Sequence, residues 1–299
     1  MIKLEKRFQK LSNGETLAYI DVGSGAQTVV LIHGNMASSI HYAPLIERLD
    51  RSKYRVVAID LRGFGDSSYV HRFDSMMELT SDVVELVNIL KLPPFTVVGW
   101  SAGGGVAMLI GAHYPEMITK LFLINSMSYK GMPVFVKDEK MQPIIGKVYP
   151  NKEALANDPL QVAPAVKALT DGNIAFMDYI WKLVIYTVNK PHEEDNLIYL
   201  QETMKQRNLV DFDWALVTFN MGSGSNFQVA GDESINKIEA PVRSVWGAKD
   251  KTVWEYMVQE TVGALGKKAE LIVYEECGHS PLVDVPDRLA NDLMEFIDK

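Results

Sequence analysis

The sequence predicts an α/β protein: a mostly parallel sheet with flanking helices and an inserted helical cap. Three observations predict it. Short apolar runs without polar alternation, such as Thr28-Val29-Val30-Leu31-Ile32, mark strands buried on both faces, as in parallel sheets. Segments with helical spacing separate those runs, so strand and helix alternate as in right-handed βαβ units. The alternation lapses after Asn125 and returns at Val242. That lapse predicts one core made of residues 1–125 and 234–299, interrupted by a cap at 126–233.

Each element has its own justification in the chain. Leu17-Ala18-Tyr19-Ile20-Asp21-Val22 is a short strand, and Gly23-Ser24-Gly25 turns the chain after it. The run ending at Ile32 empties into His33-Gly34-Asn35-Met36, and residues 38–49 read as a helix despite Pro44. Arg55-Val56-Val57-Ala58-Ile59 repeats the buried-strand pattern. The following turn, residues 60–68, has glycines suited to positive φ and an Asp and an Arg to tie it down, which reads as scaffold. Met77, Val83, Val84, Leu86, Val87 and Leu90 carry helical spacing, with Ser75 as N-cap, Glu78 three residues on, and Pro93-Pro94 as the stop. Next come the run Phe95-Thr96-Val97-Val98-Gly99, a helix reaching Tyr114-Pro115, and the strand Leu121-Phe122-Leu123-Ile124.

The insertion has no strong parallel-strand signal. Ile174, Met177, Trp181, Val184, Ile185 and Val188 form one amphipathic stripe, and 193–207 and 211–220 also read as helices. After it come a strand at 242–247, a helix at 253–265, a strand at 270–274, and the loop Cys277-Gly278-His279-Ser280-Pro281. A last helix runs through Leu289, Leu293 and Phe296.

Composition bounds the function classes. The 299 residues, 47% hydrophobic, suffice for one large domain with an insertion. A net charge of −8 argues against nucleic-acid partners and against an anionic membrane surface. The single cysteine, Cys277, rules out an intrachain disulfide and any multi-cysteine metal site. Together with an N-terminus that lacks a signal-type apolar stretch, it sets the expectation of a soluble, cytoplasmic protein. No apolar run approaches the ~20 residues of a membrane span. The His and carboxylate spacings suggest no metal site, and no cofactor is expected. The oligomeric state is not legible.

The chemistry gathers at strand ends. Gly99-Trp100-Ser101-Ala102-Gly103 places a serine between a strand and a helix, flanked by glycines that allow a tight, strained turn. A serine hydroxyl needs a base, and the base needs an acid to orient it. Asp250 follows the strand at 242–247, and His279 sits in the loop after the last strand. Asp284 is a nearby rival for the acid, and the strand at 121–124 ends in Asn125 rather than a carboxylate.

With His33-Gly34-Asn35, Asp60-x-Arg62-Gly63-x-Gly65-x-Ser67, Trp246-Gly247-x-x-Asp250 and Gly278-His279-Ser280-Pro281 added, the chain resembles the α/β-hydrolase superfamily. It lies near the capped serine esterases, non-heme haloperoxidase-like proteins and ring- or carbon–carbon-bond hydrolases. The resemblance implies a catalytic triad of Ser101, His279 and Asp250. It also implies an oxyanion hole from the backbone N–H groups of Ala102 and Asn35, with Met36 as neighbour. Asn35 has a second reading as a loop cap, and Trp100 either walls the pocket or packs beneath the serine. Met36, Trp100 and Met127 are the expected substrate contacts, in a cap segment rich in Met and aromatic residues. The dehalogenase and epoxide-hydrolase branches use an aspartate where this chain has Ser101.

The expected function is a serine hydrolase acting on a small or medium apolar ester, lactone or related acyl compound. A carbon–carbon bond hydrolase or cofactor-free oxygenase using His279 with Asp250 is the alternative on the same fold. A ligand receptor is the alternative from another class.

Overall fold

The apolar runs become the middle of a single sheet, because residues with no polar face are stable only where both sides are covered. In the computed structural model, which describes residues 4–299, the main-sheet strands before the insertion are β1 (Lys6–Lys10), β2 (Thr16–Val22), β3 (Gln27–Ile32), β4 (Tyr54–Ile59), β5 (Phe95–Trp100) and β6 (Ile118–Ile124). The insertion adds β7 (Phe135–Lys137) and β8 (Pro143–Val148), and the chain returns with β9 (Val242–Gly247) and β10 (Ala269–Tyr274). Met1, Ile2 and Lys3, with which the expected core begins, lie outside the described residues.

The eight-stranded sheet runs β1-β2-β4-β3-β5-β6-β9-β10. From β4 to β10 every neighbouring pair is parallel; β1 and β2 join antiparallel at one edge. β5 and β9 are buried at every residue, and Val30, Val57 and Val97 have no exposed surface. The chain leaves β3 toward β4 on one side and later returns to β5 on the other. That reversal opens a crevice beyond the carboxyl ends of β3 and β5, the natural ligand site of an open parallel sheet. Asn35 follows β3 and Ser101 follows β5, so topology alone brings those two loops together.

Four local readings change. The segment 38–49 is a 3₁₀ turn, Ser39–Tyr42, followed by the helix Ala43–Arg48. Pro44 sits in that helix's first turn, where its missing N–H removes no hydrogen bond. β1 gave no strand signal, since three of its five residues are Lys or Arg; charge of this kind protects an exposed edge from further pairing. The insertion is not wholly helical. β7 and β8 form an antiparallel ribbon apart from the main sheet, turned by Asp138, whose carboxylate accepts from the N–H groups of Lys140 and Gln142 at 2.8 Å each. The stripe at 174–188 is the helix Ile174–Ile180 and then a wider π turn, Trp181–Ile185, so Val188 lies beyond its end.

The turn after β4 is a buried charge network. Asp60 accepts from the N–H of Ser39 at 2.8 Å, the N–H of Asp66 at 2.9 Å and the Lys6 ammonium at 2.7 Å. Arg62 holds Asp82 through two bonds of 2.7 Å. Among the described residues, no helix is long and apolar enough to cross a membrane.

Candidate active site

Ser101 has φ +54°, a left-handed conformation that few side-chain-bearing residues adopt, and this lifts its hydroxyl out of the strand end. Its N–H donates to the Ile124 carbonyl at 2.9 Å, and its own carbonyl accepts from Gly104 and Met127 at 3.0 Å each. The turn closes only because its flanks are bare. A Cβ on Gly103 would lie 2.2 Å from the Ile32 carbonyl oxygen, and one on Gly99 would lie 2.6 Å from the Gly103 carbonyl oxygen. Gly103→Ala should therefore lower unfolding free energy by about 3 kcal/mol, an overpacking cost against backbone that has no room to move. Gly263→Ala, in the helix Glu255–Leu265 with nothing within 4 Å of the added Cβ, should raise it by about 0.5–1 kcal/mol. Urea unfolding of the two variants checks the contrast.

His279 is buried in the loop after β10, and its Nδ1 lies 2.8 Å from Asp250 Oδ2. The Asp250 carboxylate is surrounded by donors: Asn125 Nδ2 at 2.7 Å on the same oxygen, and the N–H groups of Thr252 and Val253 at 2.7 and 3.0 Å on the other. Burial works to raise its pKa, but His279, Asn125 and the Thr252 N–H outweigh it and hold the carboxyl below its ordinary value. An ionised Asp250 can only accept, so the shared proton belongs to His279 Nδ1. Nε2 is the ring nitrogen that this bond leaves unengaged. Trp100 donates its indole N–H to the His279 carbonyl at 2.9 Å and fixes the loop.

Asp284 holds the backbone instead of the ring. It accepts from the N–H groups of Gly278 at 2.7 Å and Asn189 at 2.8 Å. Cys277 is fully buried beside it; burial and Asp284 push its thiol far up, which removes thiolate character.

A cavity of about 590 Å³ joins these groups. It is lined by Ser101, His279, Asn35, Ala102, Met36, Trp100 and Met127, with Asp250 behind the histidine. The insertion contributes Met127, Met132, Leu160, Phe176, Trp181 and Leu216 to the walls, and the lining is largely apolar. Phe219 and Met221, also in the insertion, pack in the core instead. Trp100 is almost fully buried and also forms part of the wall.

Asn35 uses its side chain as a loop tie: Oδ1 accepts from the Met36 N–H at 3.0 Å and from Gln206 at 2.9 Å, and Nδ2 donates to Asp213 at 3.0 Å. The Met36 N–H is thereby engaged, and Met36 itself adopts φ +58°.

Residues 29–292 match the profile described as "Alpha/beta hydrolase family". The chain belongs to that family. Lipase 1 of Psychrobacter immobilis is 24% identical over 305 residues, covering 98% of this chain and 84% of the relative. An esterase from Exiguobacterium antarcticum superposes with a TM-score of 0.75 at 19% identity, covering 99% of this chain and all of the other. A bromoperoxidase from Bacillus anthracis gives 0.75 at 20% identity, with the same coverage. Hydrolysis is the reaction class of this alpha/beta hydrolase.

Three site residues escaped the sequence reading: Asn125, which braces Asp250 and also donates to the Gly278 carbonyl at 3.0 Å, and the pair Gln206 and Asp213 that brace Asn35. The only available signal was Asn125 standing at a strand's carboxyl end. Away from the cavity, Asp60, Asp66 and Glu202 bring three carboxylate oxygens within 4.8 Å of one another. The Lys6 ammonium bonds all three at 2.7, 2.8 and 2.6 Å and supplies the positive charge there.

Proposed function

We propose that this alpha/beta hydrolase is a serine esterase that cleaves small or medium apolar esters, lactones or related acyl compounds through an acyl-enzyme. The observation that carries the reading is the pairing of His279 with an ionised Asp250 on the same cavity as a strained Ser101. Ser101 Oγ attacks the acyl carbonyl while His279 Nε2 takes its proton. The backbone N–H groups of Ala102 and Asn35 receive the negative charge that develops on the carbonyl oxygen. His279 returns the proton to the leaving oxygen, then deprotonates the water that releases the acid. Residues 126–233 serve as a cap, and their apolar side chains, with Met36 and Trp100, exclude water and hold the acyl chain.

The experiment has two parts. A fluorophosphonate probe should label Ser101 stoichiometrically, read as a mass shift on its peptide. A series of p-nitrophenyl esters should then show kcat/KM rising about fourfold per added methylene until the cavity is filled, from about 0.8 kcal/mol of burial each. A folded protein that takes up no probe refutes the reading.

A further inference from the structure

Asp213 projects into the same cavity from the helix Leu209–Val217, which belongs to the insertion. It is half-buried and is one of the residues that line the cavity. Several other buried carboxylates meet a cation: Asp60 pairs with Lys6, Asp82 with Arg62, Asp158 with Lys137, and Asp211, two residues away on the same helix, with Lys152, while Asp284 is held by two backbone N–H groups. Asp213 pairs with none among the described residues. Its Oδ1 accepts from Asn35 Nδ2 at 3.0 Å. No bond to protein engages Oδ2 among the described residues. Burial lifts the carboxyl to about 7 against the pull of the Asn35 bond, and the negative charge of Asp158 adds to the rise.

A carboxyl with one hydrogen bond on an apolar wall is costly, and an aliphatic side chain there would be more stable. Its presence points to a ligand group that completes its hydrogen bonding. We infer that Asp213 is a specificity-determining residue, which receives a hydroxyl group carried by the acyl part of the substrate. The inference rests on the serine-esterase reading.

Three features select this chemistry. The cavity's apolar walls and the desolvation around Asp213 disfavour a second charge, so a neutral hydroxyl fits better than an ammonium group. A hydroxyl both donates and accepts, and so meets either protonation state of the carboxyl. The carboxyl touches the side chain of Asn35, whose backbone N–H is the proposed oxyanion donor. The hydroxyl therefore belongs a few bonds from the acyl carbonyl, as in a 3-hydroxy acid ester.

The test compares methyl esters of butanoic, 3-hydroxybutanoic and 3-aminobutanoic acid by pH-stat at pH 7. Wild-type protein should prefer the hydroxy ester over the plain one in kcat/KM. Asp213→Leu should lower the hydroxy-to-plain ratio by about tenfold or more, the worth of one buried hydrogen bond. Should Asp213→Leu not fold, Asp213→Ala gives the same reading. A carboxyl that only braced the Asn35 loop would move both esters together, so an unchanged ratio overturns the inference. A ratio that shifts for the amino ester and not the hydroxy ester overturns it too. Fluorophosphonate labelling of the same samples separates the two readings: an unlabelled wild type sinks serine catalysis, and a labelled one with an unchanged ratio sinks the role of Asp213 alone.

Discussion

Ser101→Ala should lower kcat on p-nitrophenyl butanoate by about 10⁴- to 10⁶-fold, and His279→Ala should cost nearly as much. The double variant should be little worse than either, because nucleophile and base act as a unit. A loss of that size is about 5 to 8 kcal/mol of barrier. Substrate binding should survive in Ser101→Ala, since the walls formed by Met36, Trp100 and Met127 are untouched. The proton-abstraction alternative makes the opposite forecast: His279 with Asp250 deprotonates an acidic substrate, so Ser101→Ala keeps most turnover and His279→Ala abolishes it. A ligand receptor would bind without turnover in all forms, wild type included. Steady-state rates on one substrate, with folding confirmed by circular dichroism, separate the three. If Ser101→Ala keeps more than about a tenth of the wild-type rate, a difference of only ~1.4 kcal/mol, covalent serine catalysis is wrong for that substrate.

The sheet was legible because its strands leave no freedom of interpretation. The run from Phe95 to Trp100 is buried at every position, so its composition is set by burial alone and reads as strand without neighbours. The turn at Ser101 was legible for a related reason: backbone within 2.6 Å of where a Cβ would stand leaves glycine as the residue for positions 99 and 103, and that constraint is written locally. Elements that answer to solvent were not legible. The ribbon of β7 and β8 is exposed along nearly all of β8, so no apolar alternation announces it, and Pro143 reads as a strand breaker. Contacts between distant segments were hidden as well. Asn35 and Asp213 are 178 positions apart, and neither residue's surroundings in sequence hint at the other. Asn125 was visible only as a missing carboxylate, whereas its amide is one of the groups that keep Asp250 ionised.

That amide sharpens the last expectation. Asp250→Asn should lower kcat by about 10⁴-fold while leaving the fold in place. The new amide can still accept from the N–H groups of Thr252 and Val253 on one atom. Its NH₂ then falls where Oδ2 now accepts from Asn125 at 2.7 Å and His279 Nδ1 at 2.8 Å, so donor meets donor on both contacts. The imidazole escapes the conflict by moving its proton to Nε2, and the ring then has no lone pair for the Ser101 hydroxyl. Asp284→Asn is the matched control. Its carboxylate holds the N–H groups of Gly278 and Asn189 and not the ring, so its loss should cost stability and no more than about tenfold in kcat. Measuring kcat and urea midpoints for both variants tests the assignment: a larger rate loss in Asp284→Asn than in Asp250→Asn would move the acid of the triad to Asp284.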